Sequence, residues 1–352
     1  MHTPNPPNRP NIHNLAYPQL TEYFSALGEP AYRTDQVWSG LYKQFVVTPM
    51  DIYNLPTRLR EQLARDFQFK GLQEIQQQLS QDKRTVKKLL RLSGGEFIEA
   101  VLMQYDKRNT LCISSQVGCA MNCSFCATGQ MGFRRNLTSG EIIEQVLLYA
   151  RYLLSMDERV TNIVLMGMGE PFHNYDAVMQ AITTLNDPHG MNLGERRFTI
   201  STVGIIPMIK RFTSENRQVN LAISLHAVDD ALRSSMLPVN RKYPVDALLA
   251  TCREYVDHTR RRISFEWALI QDVNDSAEHA RKLSKKLAGM LCHVNLIPLN
   301  PTSGYAGKGS PRERANAFLK ILTDTGISGT IRMRRGMDIQ SGCGQLATQN
   351  NP

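Results

Sequence analysis

From Thr110 onward the chain alternates short apolar, β-branched-rich runs with amphipathic segments, and that alternation leaves few folds open to it. The apolar runs lie at 111–115, 162–166, 198–202, 219–225, 263–269 and 293–299. Helical patterns fill the gaps near 140–154, 175–185, 207–213, 245–259 and 277–287. Thr138 and Glu141 stand at the spacing of a capping box for the first of these helices. Repeated strand–helix units imply a parallel sheet, because parallel neighbours need a crossover long enough for a helix. Six of them suit an α/β fold of the partial (β/α)6 barrel kind, whose active site lies at the C-terminal ends of the strands. A helix over 311–325 and a strand over 329–334 precede a glycine-rich tail.

The residues before Thr110 divide differently. Residues 1–14, rich in Pro and Asn, are expected to be a disordered tail, with no apolar stretch of the kind a signal peptide needs. Residues 15–71 carry apolar positions three and four apart over 17–27, 34–45 and 55–67, which predicts a small helical accessory domain. Its basic residues Arg33, Lys43, Arg58, Arg60 and Arg65 fit either a solvated face or an RNA surface. Residues 72–109 switch to β-like runs, and 86–92 and 97–103 flank Ser93-Gly94-Gly95 as a hairpin would, giving a β-extension linker. The barrel is then placed at 110–300, and a C-terminal helix, strand and mobile loop at 301–352.

Directly after the first barrel strand comes Cys119-Ala120-Met121-Asn122-Cys123-Ser124-Phe125-Cys126, three thiols at spacing C-x3-C-x2-C. A compact loop at that spacing can turn three thiolates onto one inorganic core. Four-iron clusters usually take four cysteines. Three leave one iron without a protein ligand and open to substrate, the pattern of the radical S-adenosylmethionine (SAM) enzymes. The alternatives are a zinc site or buried free thiols. Structural zinc wants four closed ligands, usually as two separated pairs, and the chain has no second C-x2-C pair.

Successive strand ends carry small or polar residues where an adenosylated ligand could lie. These are Met166-Gly167-Met168-Gly169-Glu170-Pro171, then Ser201-Thr202, Ser224-Leu225-His226 and Asn300. Glu170 could accept from the SAM ammonium, and Asn300 could bind a ribose or an amide. Each is a weak signal alone; their recurrence favours one shared ligand. Cys112 lies in the first strand, whereas Cys343 sits between Gly342 and Gly344, where an inert packed thiol is unusual, so Cys343 is a candidate nucleophile. Cys252 and Cys292 read as ordinary packed thiols. The net charge of +9 favours a polyanionic partner. Arg134, Arg135, Arg334 and Arg335 are the candidate phosphate contacts. Clustered cysteines in a long chain argue against a secreted disulfide framework and for a cytoplasmic protein, and no apolar run approaches a membrane span.

With these motifs in place, the chain resembles the RlmN/Cfr family of radical SAM RNA methyltransferases. The resemblance rests on Thr110-Leu111-Cys112-Ile113-Ser114-Ser115-Gln116-Val117-Gly118-Cys119, Gly132-Phe133-Arg134-Arg135-Asn136-Leu137 and the run at 166–171. It continues through Ile200-Ser201-Thr202-Val203-Gly204, Ser224-Leu225-His226, Leu296-Ile297-Pro298-Leu299-Asn300-Pro301 and Cys343-Gly344-Gln345-Leu346, in order over residues 15–347.

The resemblance implies one [4Fe-4S] cluster on Cys119, Cys123 and Cys126, and two SAM per turnover. One SAM methylates Cys343. The second binds at the cluster among Gly169, Glu170, Ser201, Ser224, Leu225, His226 and Asn300, and yields a 5′-deoxyadenosyl radical that takes a hydrogen from the methyl group on Cys343. The methylene radical adds to an adenine. Cys112 then attacks the sulfur of Cys343, freeing the methylated base and leaving a disulfide. Glu99 matches the family's active-site glutamate, a proton acceptor. The implied target is carbon 2 of an adenine in 23S rRNA and in tRNA, with carbon 8 of the 23S rRNA adenine, the Cfr reaction, as the alternative. An electron donor such as flavodoxin or ferredoxin and a monomeric state are expected as well. Pro171 is the RlmN-like choice. Ser341-Gly342 stand where the family usually has two alanines, and the 302–310 loop departs from the common Pro- and Arg-containing version. Two other readings compete: a radical SAM mutase or activase, which leaves Cys343 and the charge unexplained, and a nucleic-acid-binding module with a structural cluster, which leaves the missing fourth ligand unexplained.

Overall fold

The computed structural model of the protein describes residues 9–332 and 335–347. The tail expectation for residues 1–8 therefore lies outside the described residues. Residues 9–14 were counted in that tail and are instead folded. Ile12 is buried, Asn11 bridges to Gln68, and Asn14 Oδ1 accepts the N–H of Gly140 at 2.8 Å. Composition misread them because their asparagines are satisfied by residues more than fifty positions away in the chain.

The helical domain forms as its periodicity requires. Helices α1 (Tyr17–Ala26), α2 (Tyr32–Tyr42) and α3 (Thr57–Asp66) bury Leu20 and Phe24, Val37 and Leu41, and Leu59 and Leu63, each pair one turn apart. Strands β1 (Gln73–Leu79), β2 (Thr85–Arg91) and β3 (Phe97–Tyr105) follow as an antiparallel meander, and β2 and β3 are the expected hairpin.

The meander is not a separate linker. β3 pairs antiparallel with β4 (Arg108–Cys112), and β4 pairs parallel with β7 (Asn162–Leu165). Between those two strands lie β5 (Gln116–Gly118), α4 (Ala127–Gln130), β6 (Phe133–Asn136) and α5 (Ser139–Leu154). The parallel strands continue with β8 (Phe198–Thr202), β9 (Asn220–Ser224), β10 (Ile263–Leu269), β11 (Cys292–Pro298) and β12 (Gly329–Ile331). Among the described residues this is one ten-stranded sheet, in the order β1-β2-β3-β4-β7-β8-β9-β10-β11-β12.

Helices α6 (Tyr175–Asn186), α7 (Ile206–Ser214), α8 (Asp230–Met236), α9 (Val245–Thr259), α10 (Ala277–Leu287) and α11 (Arg312–Asp324) complete the crossovers. The six strand–helix units are those the alternation predicts, and β12 adds a seventh parallel strand beyond the expected end of the barrel at 300. The capping box on α5 forms: Glu141 N–H donates to Thr138 Oγ1 at 3.2 Å, and Thr138 N–H to Glu141 Oε2 at 2.8 Å. Such a cap contributes about 1 kcal/mol.

Candidate active site

The chain leaves β4 at Cys112 and enters the cysteine loop within seven residues. Gly118 opens the loop at φ +72°, and a Cβ there would lie 1.8 Å from the carbonyl oxygen of Gly132. That same oxygen accepts the N–H of Cys119 at 2.9 Å, so the approach that needs glycine also fixes the first cysteine. Asn122 takes a left-handed φ of +50°, a conformation asparagine tolerates, and turns the chain between the first two cysteines.

Cys119, Cys123 and Cys126 line a cavity of about 130 Å³ with Gly169, Glu170, Ser201, Ser224, His226, Asn300 and Cys343. Burial pushes the Cys119 thiol up to about 12 and the Cys123 thiol well above its ordinary value, so binding iron there must expel protons. Among the described residues no three His, Cys, Asp or Glu side chains converge closely enough to hold a single metal ion. Zinc would need that convergence. A four-iron core does not, since each thiolate takes a different iron and the three sulfurs stand apart around it. Three thiolates on one short loop therefore fit a cluster with one open iron.

The strand-end residues divide into those that face the cavity and those already committed. Ser201 and Ser224 face it and lie 3.3 Å apart through their hydroxyls. Gly169 has φ +102°, and a Cβ there would meet the Gln116 side chain at 2.5 Å. Glu170 Oε1 accepts the N–H of Phe172 at 3.0 Å and Oε2 that of Val203 at 2.9 Å, so its carboxylate ties the end of β7 to the end of β8. Burial still lifts it to about 7 against those bonds. His226 Nδ1 accepts the N–H of Ala268 at 2.9 Å, which leaves the ring proton on Nε2. Burial holds this ring down to about 3, so it is a neutral donor stacked edge-on to Phe125. Leu225 is not in the cavity. Its side chain is fully buried in the main core, its N–H donates to Glu266 O at 3.0 Å, and its carbonyl accepts from Arg233.

A second cavity of about 240 Å³ meets the first at Cys343, Asn300 and Glu266. Cys112 lines only this second cavity. Cys343 is exposed as a residue and lines both cavities, with its sulfur packed within the protein. Burial first, and then the charge of Glu266, pushes that thiol up to about 12. Burial and the neighbouring Cys343 do the same to Cys112. Both are free thiols here, so the disulfide expected after turnover is not formed, and Cys252 and Cys292 are buried as expected.

The segment carrying Cys343 is not the loose tail its glycines suggest. Asn300 Nδ2 donates to Cys343 O at 3.0 Å, Ala127 N–H to Gly344 O at 2.8 Å, Gln345 Nε2 to Pro301 O at 2.9 Å, and Thr128 Oγ1 to Leu346 O at 2.5 Å. A sequence without apolar periodicity hides this, because the bonds come from polar groups on other elements. The segment's far end reaches Glu99, whose Oε2 accepts the N–H of Ala347 at 3.0 Å while Oε1 pairs with Lys87 at 3.1 Å. Glu99 is buried, its carboxyl raised by that burial against the pull of Lys87, and it lies behind the segment without lining either cavity.

Three of the four arginines proposed from sequence are described; Arg334 lies outside the described residues. Arg135 is spent on two carboxylates, Glu96 at 3.0 Å and Glu141 at 2.8 Å, and does not offer a free guanidinium. Arg134 is exposed. Arg335 stacks over Tyr105 at 4.4 Å and lines the second cavity, as do Arg108, 4.3 Å over the same ring, and Arg332. In the helical domain, Arg33 and Arg58 both pair with Glu29.

Sequence reasoning missed Tyr105, Arg108 and Arg332, which come from β3, β4 and the residue after β12 and meet only in the folded sheet. It also missed Glu266, which lines both cavities, accepts from Asn295 Nδ2 at 2.8 Å through Oε1, and leaves Oε2 without a hydrogen-bond partner among the described residues. Glu266 is the one charged residue of β10, and that was the available signal.

An open run of parallel βα units with a three-cysteine loop after its first strand defines a radical SAM enzyme, and the radical SAM superfamily matches residues 113–283. The ribosomal RNA large subunit methyltransferase N-terminal domain matches residues 10–68. The chain is 46% identical to dual-specificity RNA methyltransferase RlmN 1 of Myxococcus xanthus, over 96% of this chain and 94% of that one. It is 43% identical to a probable dual-specificity RNA methyltransferase RlmN of Geobacillus kaustophilus, over 97% and 93%. A crystal structure of a radical SAM methyltransferase from Sphaerobacter thermophilus matches with TM-score 0.95 and 46% identity, over 97% of this chain and all of that one. The chain belongs to the RlmN family of radical SAM RNA methyltransferases. Its cofactors are a [4Fe-4S] cluster and SAM. No helix among the described residues is long and apolar enough to cross a membrane.

Proposed function

We propose that this protein methylates carbon 2 of an adenine in 23S rRNA and in tRNA, with the new methyl group delivered from Cys343. The observation that carries the reading is the position of Cys343 on the wall shared by two cavities, one reached by the cluster cysteines and the other by Cys112. Relatives with dual-specificity RNA methyltransferase names support RNA as the substrate class. The Arg108, Arg332 and Arg335 rim of the second cavity supports it physically, since cations there suit the phosphates of an RNA.

Cys119, Cys123 and Cys126 would hold the cluster, and SAM would lie at the open side of their cavity within reach of the Ser201 and Ser224 hydroxyls, the His226 Nε2–H and Asn300 Oδ1, which has no hydrogen-bond partner among the described residues. When bound, cluster and SAM together supply the 5′-deoxyadenosyl radical. Cys343, already methylated by a first SAM, gives up one methyl hydrogen and presents the resulting carbon to the base from the other cavity. Cys112 attacks Cys343 Sγ as a thiolate, so that an S–S bond forms as the S–C bond breaks and the carbon stays on the base, and the one electron left over from the radical adduct would pass back to the oxidised cluster. Glu99 accepts the proton once the Cys343 segment shifts off it.

Polar methyl transfer from SAM alone would not suffice, because this ring carbon is a poor nucleophile. The test is anaerobic incubation with SAM, a reductant such as reduced flavodoxin, and RNA, followed by nucleoside mass spectrometry. 2-Methyladenosine supports the reading; 8-methyladenosine assigns the Cfr reaction; no methylated adenosine overturns both. Binding to the RNA should also weaken as salt rises, through counterion release. Arg108→Ala and Arg335→Ala should each flatten the slope of log affinity against log salt by about 0.7 to 0.9. Affinity independent of salt would count against an RNA partner.

A further inference from the structure

The segment that carries Cys343 is gripped from the β2–β3 hairpin at one point on each side of that cysteine. Glu99 Oε2 accepts the N–H of Ala347, four residues after it, at 3.0 Å. Lys87 Nζ donates to the carbonyl of Gln340, three residues before it, at 3.4 Å. The two grips are joined, because Lys87 Nζ also lies 3.1 Å from Glu99 Oε1. Strand register makes this possible. Lys87 stands opposite Val101 and Leu89 opposite Glu99, so Lys87 and Glu99 are diagonal neighbours on one face of the hairpin. The next residue, Lys88, points to the other face and pairs with Glu74 at 2.7 Å.

Lys87 and Glu99 are both buried, and neither lines either cavity. Stability alone does not explain such a pair, since apolar residues of similar volume often serve as well or better in its place. What apolar residues could not supply is a donor for Gln340 O and an acceptor for Ala347 N–H. The bonds from the barrel through Asn300, Ala127, Gln345 and Thr128 reach the segment at 343–346. Before Cys343 the ties run to the meander instead. Asp338 Oδ2 accepts the N–H of Gln81 at 2.8 Å, Arg335 lies 3.8 Å from Asp82, and Lys87 makes the tie nearest to Cys343 in sequence.

We infer that Lys87 is a positioning residue that latches the Cys343 segment closed, through Glu99 on one side of the cysteine and Gln340 on the other. The latch fixes the thiol on the wall shared by the two cavities. A sulfur that receives a methyl group from one cavity and delivers it into the other gains rate from a fixed place between them. Opening the latch frees the segment to shift, which proton uptake by Glu99 requires. The benefit to catalysis rests on Cys343 as the methyl carrier; the latch itself does not.

The experiment reconstitutes wild type, Lys87→Met and Lys88→Met with the cluster and follows amide hydrogen exchange by mass spectrometry. Met is close to Lys in length but carries neither charge nor donor. Peptides within 336–347 report opening of the segment, and peptides from β10 and β11 report global unfolding. Lys87→Met is expected to exchange about tenfold faster within 336–347, as suits the loss of a hydrogen bond to a charged group, with β10 and β11 unchanged. Lys88→Met removes the neighbouring pair on the other face and should leave the segment at the wild-type rate. The proposal is overturned if the segment of Lys87→Met exchanges like wild type, if β10 and β11 accelerate with it, or if Lys88→Met opens the segment as far. Should Lys87→Met fail to fold, the double variant Lys87→Met with Glu99→Gln decides alone. It leaves no unpaired buried charge and still lacks the donor to Gln340, so its segment should again exchange faster, and a wild-type rate overturns the latch. A second readout is single-turnover transfer of a labelled methyl group from SAM to Cys343. Lys87→Met should slow it at saturating SAM while the half-saturating SAM concentration stays as in wild type, and an unslowed transfer overturns the positioning role. No transfer in wild type would sink the methyl-carrier reading alone, because exchange is read without SAM or RNA.

Discussion

Replacing Cys119, Cys123 or Cys126 singly by Ala is expected to leave a folded protein that holds no intact cluster and cleaves no SAM. Wild type should bind about one four-iron cluster per chain. Each variant should lose the visible absorbance of the cluster, and 5′-deoxyadenosine should fall to the level without enzyme. The effect is this large because the cluster already has one fewer protein ligand than usual, so losing another leaves two thiolates at best. Folding should survive. The loop is fixed by backbone contacts, among them Cys119 N–H to Gly132 O, Cys126 N–H to Cys123 O and Ser124 N–H to Met236 O, none of which needs the sulfurs. Circular dichroism checks the fold, iron analysis the cluster, and chromatography the nucleoside. Cleavage at the wild-type rate by any one of the three would remove that cysteine from the site.

The second large effect separates the two thiols outside the loop. Cys343→Ala should give neither methylated enzyme nor methylated RNA, because Cys343 is the one cysteine that lines both cavities. Cys112→Ala should behave differently. Cys112 lines only the second cavity, so methyl loading on Cys343 and addition to the base do not need it. Without it no second thiolate can attack Cys343 Sγ, and the enzyme should stall with RNA covalently attached. Denaturing gel electrophoresis should show a protein–RNA crosslink with Cys112→Ala and none with Cys343→Ala. The reverse pattern, or multiple turnover by Cys112→Ala, would refute the assigned order.

Both effects depend on a segment that no local pattern describes. Residues 335–347 contain no helix or strand, and Gly342 and Gly344 read as slack chain. Asn300, Thr128, Ala127 and Glu99 nevertheless clamp the segment across the barrel mouth. Release of those bonds is what the proposed role of Glu99 as proton acceptor would require, since its Oε2 is occupied by Ala347 N–H in this state. Arg135 carries the same lesson on the surface. Its position beside the cluster loop suggests phosphate binding, but Glu96 and Glu141 already occupy its guanidinium.

What the sequence determined by itself is whatever repeats or is spaced locally. Strand and helix periods placed β8, β10, α9 and α10 to the residue, because the pleat and the helical turn impose their period on each segment independently. The C-x3-C-x2-C spacing named the cofactor class for the same reason, since all three ligands lie within one eight-residue loop. The tertiary structure decided everything that depends on partners distant in the chain. It joined the meander to the barrel through β3 and β4, folded Asn11–Asn14 onto α5, turned Leu225 into the core and brought Glu266 beside Cys343. A buried polar group takes its meaning from the atoms that satisfy it or fail to, and those atoms are adjacent only once the chain has folded.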